Sequence, residues 1–135
     1  MFHRAGLAVM HEGRLLMVRK SDDVYWAIPG GHVETGETPG QAVKRELEEE
    51  LQVRVIDDSV RILGTFVDRA ADTGEEFSLT LCTGEIVGTP TPSAEIAEYI
   101  WYSGTLPGGE LPPMFVNHVR PHLEAVLGWR PTAVR

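Results

Sequence analysis

Three glutamates within five residues, Glu46, Glu49 and Glu50, are the part of this chain best suited to chemistry. On a helix turning about 100° per residue, Glu49 lies at about −60° and Glu50 at about +40° from Glu46, so the three carboxylates share one edge. Like charges at these spacings repel, and only Lys44 and Arg45 nearby carry the opposite sign. A cation is therefore expected on that edge. Carboxylate oxygens with no histidine or cysteine among them form a hard donor set, suited to magnesium, manganese or calcium rather than zinc or copper. Magnesium fits best, because it keeps coordination positions open for water and phosphate oxygens. Taken alone, an acidic helix is more often a solvated face. The residues before it shift that balance: Gly30 and Gly31, then Gly36 and Glu37, make a glycine-rich approach through which backbone can come close to a bound metal or phosphate.

The helix that must carry these carboxylates is well marked. Thr38 suits the N-cap, Pro39 the first helical position, and Gln41 completes a Thr-x-x-Gln capping box, so a helix is predicted over Pro39 to Leu51. Val43, Leu47 and Leu51 fall at about +60°, +100° and +140° on the same wheel, an apolar stripe beside the acidic edge that can anchor the helix on a sheet. Glu48, at about 200°, should be solvated.

Around it, residues 4–19 read as a hairpin, with Ala5 to Met10 and Arg14 to Arg19 flanking a His11-Glu12-Gly13 turn. Ser21 to Thr38 reads as loop with short strand pieces. Strands are predicted at Val53 to Ile56, Val60 to Asp68 and Phe77 to Val87, the last two facing each other across Asp72-Thr73-Gly74. Gly88 to Glu98 should be loop, Tyr99 to Tyr102 a short strand, and Met114 to Leu127 a closing helix that Pro121 kinks or interrupts. The tail from Pro131 to Arg135 is expected to fray. The order of elements predicts a mixed sheet with helices packed against it, in one domain over residues 1–135.

Composition narrows the partners. The chain has 135 residues, 42% hydrophobic and 24% charged, which places it among globular domains able to build their own core. A formal net charge of −8 disfavours docking onto a nucleic-acid polymer or an anionic membrane unless metal ions intervene. No apolar run approaches the roughly 18 residues that span a bilayer, and Met1-Phe2-His3-Arg4 lacks a secretory signal, so a cytoplasmic location is the expectation. Cys82 is the only cysteine, which excludes an intrachain disulfide and a cysteine-based zinc site.

The residues from Gly31 onward resemble the Nudix box, G-x5-E-x7-R-E-U-x-E-E-x-G-U with U aliphatic. The match reads Gly31, Glu37, Arg45, Glu46, Leu47, Glu49, Glu50 and Val53, at the required spacing. One position departs: Gln52 stands where the pattern has glycine, and a left-handed glutamine there costs on the order of 1 kcal/mol. The resemblance implies an α/β (α+β) Nudix fold, with a mixed sheet packed between helices as an α/β/α sandwich. It also implies magnesium-dependent, or manganese-dependent, hydrolysis of a diphosphate bond in a nucleotide-like small molecule. Glu49 and Glu50 would be metal ligands, Glu46 a ligand or the base for the attacking water, and the Gly30 carbonyl a further ligand. Arg45 and Glu37 would pair to fix the loop against the helix. A late glutamate often completes such a site, and Glu95 is favoured over Glu98. Two rivals follow from the same resemblance: a non-catalytic Nudix-like module that binds nucleotides, and a Nudix-fold isomerase of isoprenyl diphosphates, which the lone Cys82 supports little.

Weaker signals lie elsewhere. His118 and His122 sit four apart on the closing helix, His32 lies in the glycine loop, and Arg19 and Lys20 at a strand end could reach a phosphate. Phe66, Phe77, Trp101 and Tyr102 could stack on a base, although core packing is their ordinary use.

Overall fold

The computed structural model of the chain describes residues 1–131; the expected frayed tail, beyond Pro131 itself, lies outside the described residues. Short runs rich in apolar residues open the chain as β1 (Phe2–Ala8), β2 (Met10–His11) and β3 (Arg14–Lys20). Glu12 and Gly13 turn at φ of 51° and 79°, the mirror-image geometry that suits a two-residue hairpin. The hairpin is nevertheless short. Met10 with Leu15 and His11 with Arg14 pair across it, and Leu16 N–H reaches the Val9 carbonyl at 2.9 Å, before β1 passes into a different sheet.

There β1 runs antiparallel to β5 (Gly30–His32) and parallel to β8 (Glu76–Thr83), whose outer neighbour is the edge strand β7 (Arg61–Arg69). The second sheet joins β10 (Ile96–Tyr102), β3 and β2, with β4 (Trp26–Ala27) also on β3. A third, minor pair links β6 (Arg54–Val55) with β9 (Ile86–Val87). The predicted strand Phe77 to Val87 is thus two strands, broken at Gly84 and Glu85. The hairpin across Asp72-Thr73-Gly74 forms as predicted, with Arg69 opposite Glu76. The last strand begins at Ile96 rather than Tyr99: Ile96 is buried, and Glu98 is tolerated within the strand because its carboxylate meets Arg19 on the neighbouring one.

Strand alternation sorts the apolar side chains onto two faces. Leu15 and Met17 of β3 join Phe77, Leu79, Leu81, Phe115 and Leu123 in one core, while Leu16 and Val18 join Leu7, Val43, Leu47 and Leu51 in the other. Helices therefore cover both faces, and the expected α/β/α layering is observed.

The acidic helix, α1 (Pro39–Leu51), has the predicted limits. Gln41 N–H donates to Thr38 Oγ1 at 3.1 Å and Thr38 N–H to Gln41 Oε1 at 2.9 Å, so the capping box is complete. Ala42, Val43, Leu47 and Leu51 are wholly buried and press the helix onto the sheet. At its exit Gln52 is left-handed, φ 56° and ψ 37°, with its N–H on the Glu48 carbonyl. Gln52→Gly should therefore stabilise the protein by about 0.5–1 kcal/mol, glycine's larger unfolded-state entropy offsetting part of the relieved strain; urea unfolding measures this, and a destabilised variant would show the cap unstrained. Just beyond the exit, Thr91 N–H donates to the Leu51 carbonyl at 2.8 Å and Ser93 N–H to the Glu50 carbonyl at 2.9 Å. These bonds fasten the loop before β10 to the acidic end of α1.

The closing helix forms, and Pro121 does not break it. Phe115–Val119 makes a wide π turn that runs into α2 (Arg120–Leu127), with Arg120 N–H on the Phe115 carbonyl. A proline ring would strike the carbonyl four residues back in a regular helix, and the widened turn makes room for it. Among the described residues no helix is long and apolar enough to cross a membrane.

Candidate active site

Two backbone features let the acidic helix approach the sheet. A Cβ on Gly30 would strike the Ala5 carbonyl oxygen, so β5 can lie on β1 only with glycine there. A Cβ on Gly31 would stand 2.7 Å from both Glu46 carboxylate oxygens, so that carboxylate rests directly on bare backbone. Gly31→Ala should cost little stability, since a flexible side chain can swing aside, yet should lower turnover by about tenfold or more through the displaced carboxylate. Melting temperature and kcat measured together check this; an active Gly31→Ala protein would mean that the position of Glu46 is unimportant.

Glu50 is the unusual residue. It is only 2% exposed, and its Oε1 is buried without a hydrogen-bond partner. Burial first, then the charge and hydrogen bond of Glu46 and the charge of Glu95, push its carboxyl up to about 8, with the Gly30 backbone N–H pulling the other way. Two carboxylates in contact in a desolvated corner hold a proton or a cation between them. Glu49 does not join them. Its side chain is 57% exposed and lies 3.8 Å from Arg45 Nη1, and Glu48 is exposed as expected. Among the described residues no three His, Cys, Asp or Glu side chains converge as a ready-made metal cage. The orphaned, buried oxygen of Glu50 beside Glu46 nevertheless fits a hard divalent cation.

Arg45 fixes this corner. Its Nε and Nη2 donate to the two oxygens of Glu37 at 2.8 and 2.9 Å, Nη1 to Glu46 Oε1 at 2.7 Å, and Nη2 also to the His32 carbonyl at 2.9 Å. The hydrogen bonds from Arg45 hold the Glu37 carboxyl down at about 2, and Glu37 in turn pushes the Arg45 guanidinium well above its ordinary value. The pairing expected of Arg45 and Glu37 is present, and it reaches Glu46 as well.

The two late glutamates separate clearly. Glu98 accepts from Arg19 Nε at 2.9 Å and Nη2 at 2.6 Å, which occupies both residues. Glu95 acts electrostatically on Glu50, and its carbonyl takes the Ser21 N–H at 2.8 Å, fixing its backbone at the end of β3. His118 and His122 flank Phe66, and His118 lies 3.3 Å from Asp68, away from the acidic helix.

Glu50 and Gly30 open onto a cleft of about 510 Å³ whose walls include Phe2, Arg4, Phe77 and Leu79. That volume suits a nucleotide-sized ligand. Sequence reading missed Phe2 and Arg4. Their only signal is that Phe2, Arg4 and Gly6 alternate onto one face of β1, which becomes informative once Gly6 is known to pair with Gly30.

The family model described as NUDIX domain matches residues 1–119. The chain belongs to the Nudix family. A MutT-like protein of Streptomyces ambofaciens is 47% identical to this Nudix chain over 51 residues, 38% of the chain and 33% of that protein. The putative ADP-ribose pyrophosphatase YjhB of Bacillus subtilis (strain 168) is 42% identical over 43 residues, 32% of the chain and 21% of that protein. These alignments span a third or less of the curated relatives' lengths. The crystal structure of the MutT NUDIX hydrolase from Burkholderia pseudomallei superposes with a TM-score of 0.72 at 24% identity, covering 93% of this chain and 97% of that one. The shared architecture is the Nudix fold.

Proposed function

We propose that this Nudix protein hydrolyses a diphosphate bond in a nucleoside diphosphate joined to another group, nucleoside triphosphates among them, with magnesium or manganese. The observation that carries this reading is the buried Glu50, with its unpartnered Oε1 and its carboxyl interacting with Glu46, in the wall of a nucleotide-sized cleft. Glu46 and Glu50 would hold the cation with the Gly30 carbonyl and Glu95, and Glu49 would join them by swinging in from its exposed rotamer. Such a cation neutralises diphosphate charge and makes bound water a better nucleophile.

The chain's own groups do the rest. Arg45 ties up one oxygen of Glu46 and leaves the other to orient the attacking water and take its proton. Glu37 and Gly31 hold that arrangement in place, the first through Arg45 and the second by leaving room for the carboxylate. The adduct named for the Bacillus subtilis relative, ADP-ribose, belongs in the first substrate panel.

Incubation with magnesium and a panel of nucleoside triphosphates, ADP-ribose, sugar nucleotides and dinucleoside polyphosphates, following phosphate and pyrophosphate release, tests the proposal. Metal-dependent release from at least one compound is expected. Nucleotide binding without turnover across the panel would instead identify a non-catalytic module.

A further inference from the structure

Phe2, Arg4 and Gly6 line the cleft from one face of β1, successive residues standing about 7 Å apart. Gly6 pairs with Gly30 at the carboxylate end, Arg4 lies opposite His32, and Phe2 is farthest out. Along β1 the cleft wall therefore runs from the carboxylate end, through Arg4, to the aromatic rings of Phe2 and Phe77. Phe2 stacks on Phe77 with centroids 5.3 Å apart and planes 8° apart, and the His32 ring lies 5.0 Å from Phe2.

Arg4 is half-buried, and among the described residues its side chain makes no hydrogen bond or ion pair, whereas the forks of Arg19 and Arg45 are filled by Glu98 and Glu37. A guanidinium left open in a protein of net charge −8 that has carboxylates to spare is poised for an external anion. Its planar fork matches two phosphate oxygens. A flat base would find its platform on the rings beyond. An arginine reading a base edge would need to stand beside the rings rather than between them and the reacting end.

We infer that Arg4 binds the phosphate that hydrolysis leaves on the nucleoside side, and that Phe2 and Phe77 carry the base beyond it. This rests on the hydrolase reading and extends it. It makes the preferred substrate one with a charged phosphate between its aromatic base and the bond cleaved, and makes the nucleoside monophosphate the product that stays bound longest.

The test compares wild type with Arg4→Gln and Arg4→Lys, measuring kcat and KM on the best substrate of the panel and equilibrium binding of a nucleoside monophosphate and of the free nucleoside. For Arg4→Gln, KM should rise and monophosphate affinity fall by about tenfold, with kcat within about threefold and nucleoside affinity unchanged. Arg4→Lys should recover part of the loss, because it keeps the charge but not the fork. Phe2→Ala should weaken nucleoside and monophosphate alike. Wild-type KM and monophosphate affinity in Arg4→Gln would overturn the inference while leaving hydrolysis standing, and so would equal weakening of nucleoside and monophosphate by that variant. Monophosphate binding that depends on Arg4 in a protein that hydrolyses nothing would refute the hydrolase reading and, with it, the inference that this phosphate is a product of hydrolysis.

Discussion

Glu50→Gln is expected to lower turnover by about a hundredfold or more while making the metal-free protein more stable above neutral pH. The two effects have one cause. A carboxyl raised to about 8 by burial and by Glu46 favours the folded state while it keeps its proton. That contribution is fully present below the ordinary glutamate value near 4.5 and is lost as pH climbs through about 8, because the unfolded chain ionises the group freely. Glutamine fills the same space without a charge to bury. The variant should therefore melt several degrees above wild type at pH 8.5, a difference on the order of 1 kcal/mol or more, and close to wild type at pH 5. A variant that is inactive and also less stable at both pH values would assign Glu50 a structural role instead. Glu49→Gln should also lose about a hundredfold in turnover, but without the stability gain, since its side chain is 57% exposed.

Arg45→Lys should cost at least about tenfold in turnover even though the charge is retained. Arg45 reaches both oxygens of Glu37, Glu46 Oε1 and the His32 carbonyl from one planar group. An ammonium can satisfy only part of that set, so the glycine approach loosens and Glu46 loses its fixed oxygen. The expected signature is a fall in kcat larger than any rise in KM, with the melting temperature lowered by a few degrees at most. A lysine variant with wild-type kcat would show that Glu46 is positioned by Gly31 and the helix alone.

The parts of this structure that were legible in the sequence are those fixed locally. Thr38, Pro39 and Gln41 set the start of α1, and the spacing of Val43, Leu47 and Leu51 set the face it buries. The same spacing placed Glu46 and Glu50 on a common edge. It could not say that Glu49 turns toward Arg45, because backbone periodicity fixes where a side chain starts and not which rotamer it takes. The partner of β1 was hidden for a different reason. Both faces of β1 and β3 are apolar where they are buried, so their sequences match a simple hairpin as well as strands of separate sheets. Long-range pairing decided the late glutamates as well. Arg19 claims Glu98 from 79 positions away, within a strand that starts at Ile96, and leaves Glu95 as the late glutamate that acts on Glu50. The π turn before Pro121 answers a steric demand that the sequence announced as a kink or interruption.

The most direct measurement is calorimetric titration of magnesium into the metal-free protein at pH 6.5, in buffers of different ionisation enthalpy. If Glu46 and Glu50 form the cation site, binding must displace the proton they share, and release should approach about one proton per ion in wild type and vanish in Glu50→Gln. Magnesium binding with no proton release, or the same release from Glu50→Gln, would contradict a site built on that buried pair.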